Sequence, residues 1–188
     1  MGLGHGGNVI EELTVDHREV DALFARIEIL PVGDARRRVA ADELTMELVR
    51  HSVAEEMHLY PAVREHIEDG DTIADKEIAD HAAVEELLKD LEGRDADDPR
   101  FDDLVARLRL AVGEHVRDEE GRMFPLLAAA CTTEELNALG DKVRAAKETA
   151  PTRPHPSAPD TPPANRILAP GAGLVDRARD LLSGRGGH

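Results

Sequence analysis

The chain has 188 residues and a formal net charge of −16, from 39 acidic against 23 basic side chains. That length holds one domain of about 150 residues with an extension rather than two full domains. The charge argues against nucleic acid or an anionic membrane surface as partner and in favour of a small ligand, while the single cysteine, Cys131, excludes an intramolecular disulfide and a thiolate cluster for zinc or iron–sulfur chemistry.

The N-terminus shows neither a basic start nor an apolar run, and no window approaches the 18 or so apolar residues of a membrane span, so a cytoplasmic protein is expected. Aromatic residues make up 2 % and tryptophan is absent, which leaves a core of Leu, Val, Ile and Ala and favours helices. Asn8 is placed to cap a first helix running to about Leu30, before Pro31-Val32-Gly33. Its apolar positions Ile10, Leu13, Val20, Phe24 and Ile27 are spaced at three and four, and His17 falls in the same stripe. Asp34 opens a second helix whose stripe reads Val39, Leu44, Leu48, His51, Glu55, Leu59. Pro61 should kink that helix or restart it as a last segment to about Glu68, and Asp69-Gly70-Asp71 turns the chain. A third helix, about Thr72 to Leu91, carries Ile73, Ile78, Val84, Leu88 and Leu91 on one side, with His81 in the remaining slot. After an acidic loop, Asp98 and Pro99 suit the cap and first turn of a fourth helix, whose seam is Phe101, Leu104, Val105, Leu108, Val112, His115, Glu119, Met123. Thr132 and Glu135 have capping-box spacing and should start a shorter fifth helix to about Lys147, although Gly140 within it costs about 1 kcal/mol relative to Ala. Residues 150–163 hold six of the eleven prolines and read as an extended strap, followed by a short amphipathic helix through Leu174, Val175, Ala178, Leu181 and Leu182. The expected organisation is an all-α antiparallel up-down four-helix bundle over 8–147, with the fifth helix, and a Pro-rich tail over 148–188.

An α-helix advances about 100° per residue, so His51 and Glu55 share one face a turn apart, and His115 and Glu119 repeat the arrangement. Short loops make neighbouring helices antiparallel, and height along the bundle can then be counted from each loop at about 1.5 Å per residue. Counted so, His17, His51, Glu55, His81, His115 and Glu119 all reach the middle of the bundle. Any one buried histidine can be satisfied by a neighbour. Two glutamates and four histidines in one aliphatic layer are another matter, because an unpaired buried carboxylate is strongly penalised by desolvation. Cations reconcile them. Imidazole with carboxylate and no thiolate suits iron, manganese or zinc; six ligands suit two metals, each holding two histidines, with both glutamates bridging. Iron is the expected metal, as two ions (Fe2+/Fe3+) with an oxo or hydroxo bridge.

One His on helix one, HxxxE on helix two, one His on helix three and HxxxE on helix four is a pattern that resembles the hemerythrin-like (HHE cation-binding) family. The phrases His51 to Pro61, with EExxLYP, and His115 to Pro125 resemble that family's motifs. The fifth helix and Pro-rich tail resemble its actinobacterial members. The resemblance covers about residues 8 to 147 and implies an antiparallel four-helix bundle around a non-heme di-iron centre. One departure stands out: oxygen-carrying hemerythrins have a second histidine one turn from the first on helix three, where this chain has Glu77 and Glu85. That exchange points away from reversible oxygen carriage and towards redox chemistry. The resemblance thus implies reaction with peroxide or nitric oxide in a stress-response setting; the alternative is an O2, NO or iron sensor or carrier without turnover.

Several other residues lie near these positions. His58, seven after His51, is a candidate seventh ligand or an outer hydrogen-bond donor, or else belongs to the bundle wall. Tyr60, the only tyrosine, either donates to the site or anchors the kink. Glu56 and Glu120 point about 140° from their histidines and are expected in solvent, and Glu77 or Glu85 is placed to hydrogen-bond the far nitrogen of His81. His5, His66, His155 and His188 are expected to be exposed, and Cys131 to pack a helix end.

Overall fold

The computed structural model describes residues 6–157 together with Ala172, Gly173, Asp176 and Asp180, and the described residues form helices and no strand. The tail helix expected around Leu174, Val175, Ala178, Leu181 and Leu182 lies outside the described residues, as do His5 and His188.

Helix α1 spans Val9–Ile29. Asn8 Oδ1 accepts from Ile10 N and Glu11 N at 2.9 and 3.1 Å while Glu11 reaches back to Asn8 N, so the otherwise unpaired first-turn N–H groups are satisfied on both sides of the cap. Asp34 accepts from Arg36 N and opens α2, Ala35–Ala54. The expected break near Pro61 takes a specific form: a π turn at Glu55–Leu59 precedes α3, Tyr60–His66. Proline lacks an N–H and its ring collides with the carbonyl four residues back. The chain relieves this by widening, with Tyr60 N donating to Glu55 O five residues earlier. The turn then tightens at Asp69, which is left-handed (φ 59°), and α4 runs over Gly70–Leu91.

The fourth helix departs from expectation at its start. Helix α5 spans Phe101–Asp118, two residues later than Pro99 suggested, because Asp98 spends its side chain on Arg100 N (2.8 Å) and closes a turn ahead of the helix. A second π turn, Glu119–Met123, leads into α6, Phe124–Ala130, which carries Pro125 in its first turn just as α3 carries Pro61. Thr132 and Glu135 form the expected capping box, and α7 spans Thr133–Thr149. Beyond it, residues 151–157 are helix-free as expected.

Helix α1 packs on α2 and α4 on α5, and α7 lies across α1, α2 and the first π turn. The core falls into two apolar halves. One gathers Val20, Phe24, Leu44, Leu48, Val84, Leu88, Phe101 and Leu108; the other gathers Leu13, Ala54, Leu59, Val63, Ile73, Met123, Phe124 and Leu127 with Leu136, Leu139 and Val143 of α7. In sequence each of His17, His51, His81 and His115 stands between a residue of the first half and one of the second, so the four histidines mark a polar layer across the bundle.

Candidate metal centre

All six groups singled out by periodicity are buried: His17, His51, His81 and His115 are at most 5 % exposed, and Glu55 and Glu119 are 0 %. The structure brings them together. Ligand atoms of His17, His51, Glu55 and Glu119 lie within 4.8 Å of one another, as do those of Glu55, His81 and His115, and those of Glu77, His115 and Glu119.

The histidines form two pairs, with ring centroids 5.0 Å apart for His17 and His51 and 4.7 Å apart for His81 and His115. Each glutamate touches one member of each pair. Glu55 Oε2 is 3.1 Å from His51 Nε2 and 3.3 Å from His81 Nε2; Glu119 Oε2 is 3.3 Å from His17 Nε2 and 3.4 Å from His115 Nε2. A carboxylate with one neighbour in each half is arranged as a bridge.

The outer nitrogens are tied down in a closed pattern. His17 Nδ1 meets Glu120 at 2.8 Å, His51 Nδ1 meets Asp16 at 3.2 Å, His81 Nδ1 meets Glu56 at 3.1 Å and His115 Nδ1 meets Glu77 at 2.8 Å. An ionised carboxylate only accepts, so Nδ1 carries the proton and, in the neutral ring, Nε2 presents a lone pair inward. Every single-histidine helix therefore has its ring oriented by the second Glu of a π turn, and it returns an acid to the histidine of the other motif.

This corrects three expectations. Glu56 and Glu120 are not in solvent: Glu56 is 9 % exposed and Glu120 half-buried, each bound to a histidine of a neighbouring helix. The π turns, which rotate the chain by less than 100° per residue, re-aim them. Glu77 serves His115 rather than His81, and Glu85 is taken by the backbone N of His155 at 2.7 Å. His155 is correspondingly half-buried, 2.9 Å from Asp176 through Nε2. His66 is exposed as expected, and Cys131, half-buried at the C-cap of α6, packs against the apolar half that includes α7. His58 is half-buried and is not among the converging groups. Tyr60 is: its hydroxyl stands 3.1 Å from His81 Nε2 and 3.3 Å from both Glu55 Oε2 and Glu119 Oε1. Asp16 went unnoticed in the sequence, although it is adjacent to His17.

Charge explains why the cluster suits cations. Burial opposes a charged His81, yet Glu55 and Glu56 outweigh it and push its pKa up to about 10. Burial likewise opposes the charge on His51, and Glu55 and Asp16 hold that ring well above its ordinary range. Burial would raise Glu55, but His51 and His81 draw it well below the usual carboxylate value. Positive charge is thus demanded at the centre, and protons supply it when nothing else does. His81 Nε2 and His115 Nε2 stand 3.2 Å apart, a contact of two inward nitrogens that needs a proton or a cation between them. Meanwhile Glu55 Oε1 is buried without a hydrogen-bond partner, and His17 Nε2 and Glu119 Oε2, although 3.3 Å apart, are not aligned for a hydrogen bond. Orphaned polar atoms of this kind, aimed into one point, fit metal coordination, and a set of imidazoles and carboxylates fits iron, manganese or zinc.

Comparison with known proteins agrees with this chemistry. The chain is 29 % identical over 168 residues to an uncharacterised hemerythrin-like protein of Schizosaccharomyces pombe, a match covering 89 % of this chain and 82 % of that one. It is 29 % identical over 142 residues to a DNA nickase of Nostoc, covering 74 % of this chain but only 39 % of the nickase. A crystal structure of a hemerythrin HHE cation binding domain-containing protein from Mycobacterium kansasii superposes with a TM-score of 0.65 at 27 % identity, over 75 % of this chain and 85 % of that one. The model of the hemerythrin HHE cation binding domain matches residues 8–127. That stretch is more than half of the chain and contains all six converging groups, so this protein belongs to the hemerythrin HHE cation-binding family.

Proposed function

We propose that His17, His51, Glu55, His81, His115 and Glu119 hold two iron ions and that the protein consumes hydrogen peroxide or nitric oxide. The observation that carries the reading is the placement of each glutamate between two histidine pairs, its Oε2 within 3.4 Å of one histidine from each pair. His17 and His51 would hold one ion, His81 and His115 the other, with Glu55 and Glu119 shared. Bound iron would supply one-electron redox steps and Lewis acidity. The chain itself supplies dryness, orientation and a proton. The site is sealed by Phe124, stacked on His17 at 5.9 Å, and by Tyr60, tilted against His81 at 5.4 Å. The four outer carboxylates hold the rings at fixed angles. Tyr60 Oη carries an exchangeable proton on the inner side of the cluster, within hydrogen-bonding distance of Glu55 and Glu119, and is the group placed to deliver it to a small bound ligand.

Peroxide disproportionation balances its own electrons, one peroxide oxidised to O2 and another reduced to water, whereas reduction of nitric oxide needs an outside donor. Peroxide is therefore tested first. The purified protein should contain close to two irons, show a charge-transfer absorption in the near ultraviolet, and release O2 from peroxide over many turnovers. Stoichiometric binding of O2 or NO without turnover would instead establish a sensor or carrier, and an iron content near zero after loading would refute the two-metal reading. The nickase activity belongs to a longer relative; the charge of −16 opposes a DNA-binding surface here.

A further inference from the structure

Helix α7 lies beyond the residues matched by the family model, yet it is wired to the cluster. Arg144 and Lys147, one turn apart on α7, face Glu12 and Asp16, one turn apart on α1, and both acids are buried. Arg144 Nη1 donates to Glu12 Oε2 at 3.2 Å and to Gly7 O at 3.1 Å. Lys147 Nζ stands 3.4 Å from Glu12 Oε1 and donates to Asp16 Oδ1. The other oxygen of Asp16 meets His51 Nδ1. A continuous chain of contacts, Lys147 to Asp16 to His51, therefore links the fifth long helix to one histidine pair.

Other outer acids also meet cations, and exposure decides which of these matters. Arg18 meets Glu120 at 2.7 Å and Lys76 meets Glu77 at 3.3 Å, but those cationic side chains are 47 % and 46 % exposed, whereas Lys147 is 14 % exposed. Water and salt screen the first two strongly and the third weakly. In a low effective dielectric a charge acts several-fold more strongly at the same distance. Its influence on the ring behind it is thus greatest at His51.

We propose that Lys147 is a positioning residue of the metal centre, holding Asp16 against His51 and making the His17/His51 half of the centre electronically distinct from the His81/His115 half. The proposal rests on the two-metal reading. Lys147 touches no converging group itself; it acts through Asp16. By taking up part of the negative charge of Asp16, the ammonium limits how strongly that carboxylate draws on the Nδ1 proton, and so limits how electron-rich Nε2 becomes. Without the cation His51 becomes a stronger donor and favours the oxidised metal.

The test uses the full chain loaded with ferrous iron, with metal content measured first and the oxidised-to-reduced ratio then followed by optical redox titration. Lys147→Met and Lys147→Gln, the latter keeping a hydrogen-bond donor, should raise that ratio about tenfold at a fixed potential. Lys147→Arg should stay within about twofold of the unsubstituted protein, and so should Lys76→Met. Both neutral variants should keep the iron content of the unsubstituted protein; its loss in them overturns the proposal, because Lys147 would then hold the helices together rather than set the donor strength of His51. The proposal is overturned if the neutral variants stay within twofold, if Lys147→Arg shifts as far as they do, or if Lys76→Met matches them. Fewer than two irons in the unsubstituted protein overturns the two-metal reading itself, and this proposal with it.

Discussion

At the scale of single residues, the two glutamates that lie between the histidine pairs and the lone phenol are proposed to carry separate jobs. Glu55→Ala and Glu119→Ala should each remove close to half or more of the bound iron and lower peroxide turnover with it, because each carboxylate serves both histidine pairs; unchanged iron by elemental analysis in both variants would contradict the bridging role. Tyr60→Phe keeps the ring that packs beside His81 and deletes only the hydroxyl. Iron content should persist while turnover falls by about a hundredfold or more, the lower end of the range for loss of a proton donor; full activity in initial-rate assays would exclude Tyr60 from proton delivery. Protonation adds a pH signature. The raised pKa values of His51 and His81 stabilise the metal-free fold fully below the ordinary value of 6.5, and that contribution disappears as pH rises through about 10 for His81. The lowered Glu55 works in the opposite sense, its contribution present above 4.5 and lost as pH falls into its depressed range. The proposed uptake of iron by these rings would displace their protons, so loading at pH 7 should acidify a weakly buffered solution and tighten towards pH 9; a pH-independent affinity in metal titrations would show that the rings are already neutral.

At the scale of elements, the paired segments His51-x3-Glu55-Glu56-x3-Tyr60-Pro61 and His115-x3-Glu119-Glu120-x3-Phe124-Pro125 act as one device used twice. The proline forces a π turn; the π turn aims the first Glu into the cluster and the second at a histidine of a neighbouring helix. The aromatic position before the proline then separates the halves, a phenol over His81 and a phenyl over His17. Helix α7 shows how packing overrides propensity. Gly140 weakens a helix by about 1 kcal/mol relative to Ala, but a Cβ there would lie 2.8 Å from Gly7 O and 3.0 Å from the carbonyl carbon of Asn8, backbone atoms that cannot easily yield. Gly140→Ala should therefore lower the melting temperature rather than raise it, as thermal denaturation followed by circular dichroism would register.

At the scale of the whole molecule, a strongly acidic chain surrounds a dry layer that itself asks for positive charge. The two apolar halves above and below that layer hold the helices in register, so that four rods deliver their polar groups at one height. The tail adds a further tie: Arg153 meets Glu92 at 3.0 Å and Asp180 at 2.8 Å, and Thr152 donates to Asp180. No helix among the described residues is long and apolar enough to cross a membrane. If metal binds the folded cluster and not the unfolded chain, as proposed, loading should stabilise the protein, by about 2.7 kcal/mol at a free metal concentration a hundred times the dissociation constant. Calorimetry of loaded and chelated protein would test this, and coincident transitions would argue that the cluster holds no metal.

The inward face of each helix, and with it His17, His51, Glu55, His81, His115 and Glu119, follows from the sequence alone, because a helix repeats every 3.6 residues and burial sorts apolar from polar along that repeat. The caps at Asn8, Asp34 and Thr132 are equally local, each satisfying N–H groups within three residues. The outer acids are not. Whether Glu56 meets water or His81, and whether Glu77 serves His81 or His115, depends on how far a proline-induced π turn rotates one helix against the next. The reach of Lys147 to Asp16 across 131 positions of chain depends on where α7 lands. Periodicity describes one helix at a time, so these pairings between helices were decided only by the tertiary structure.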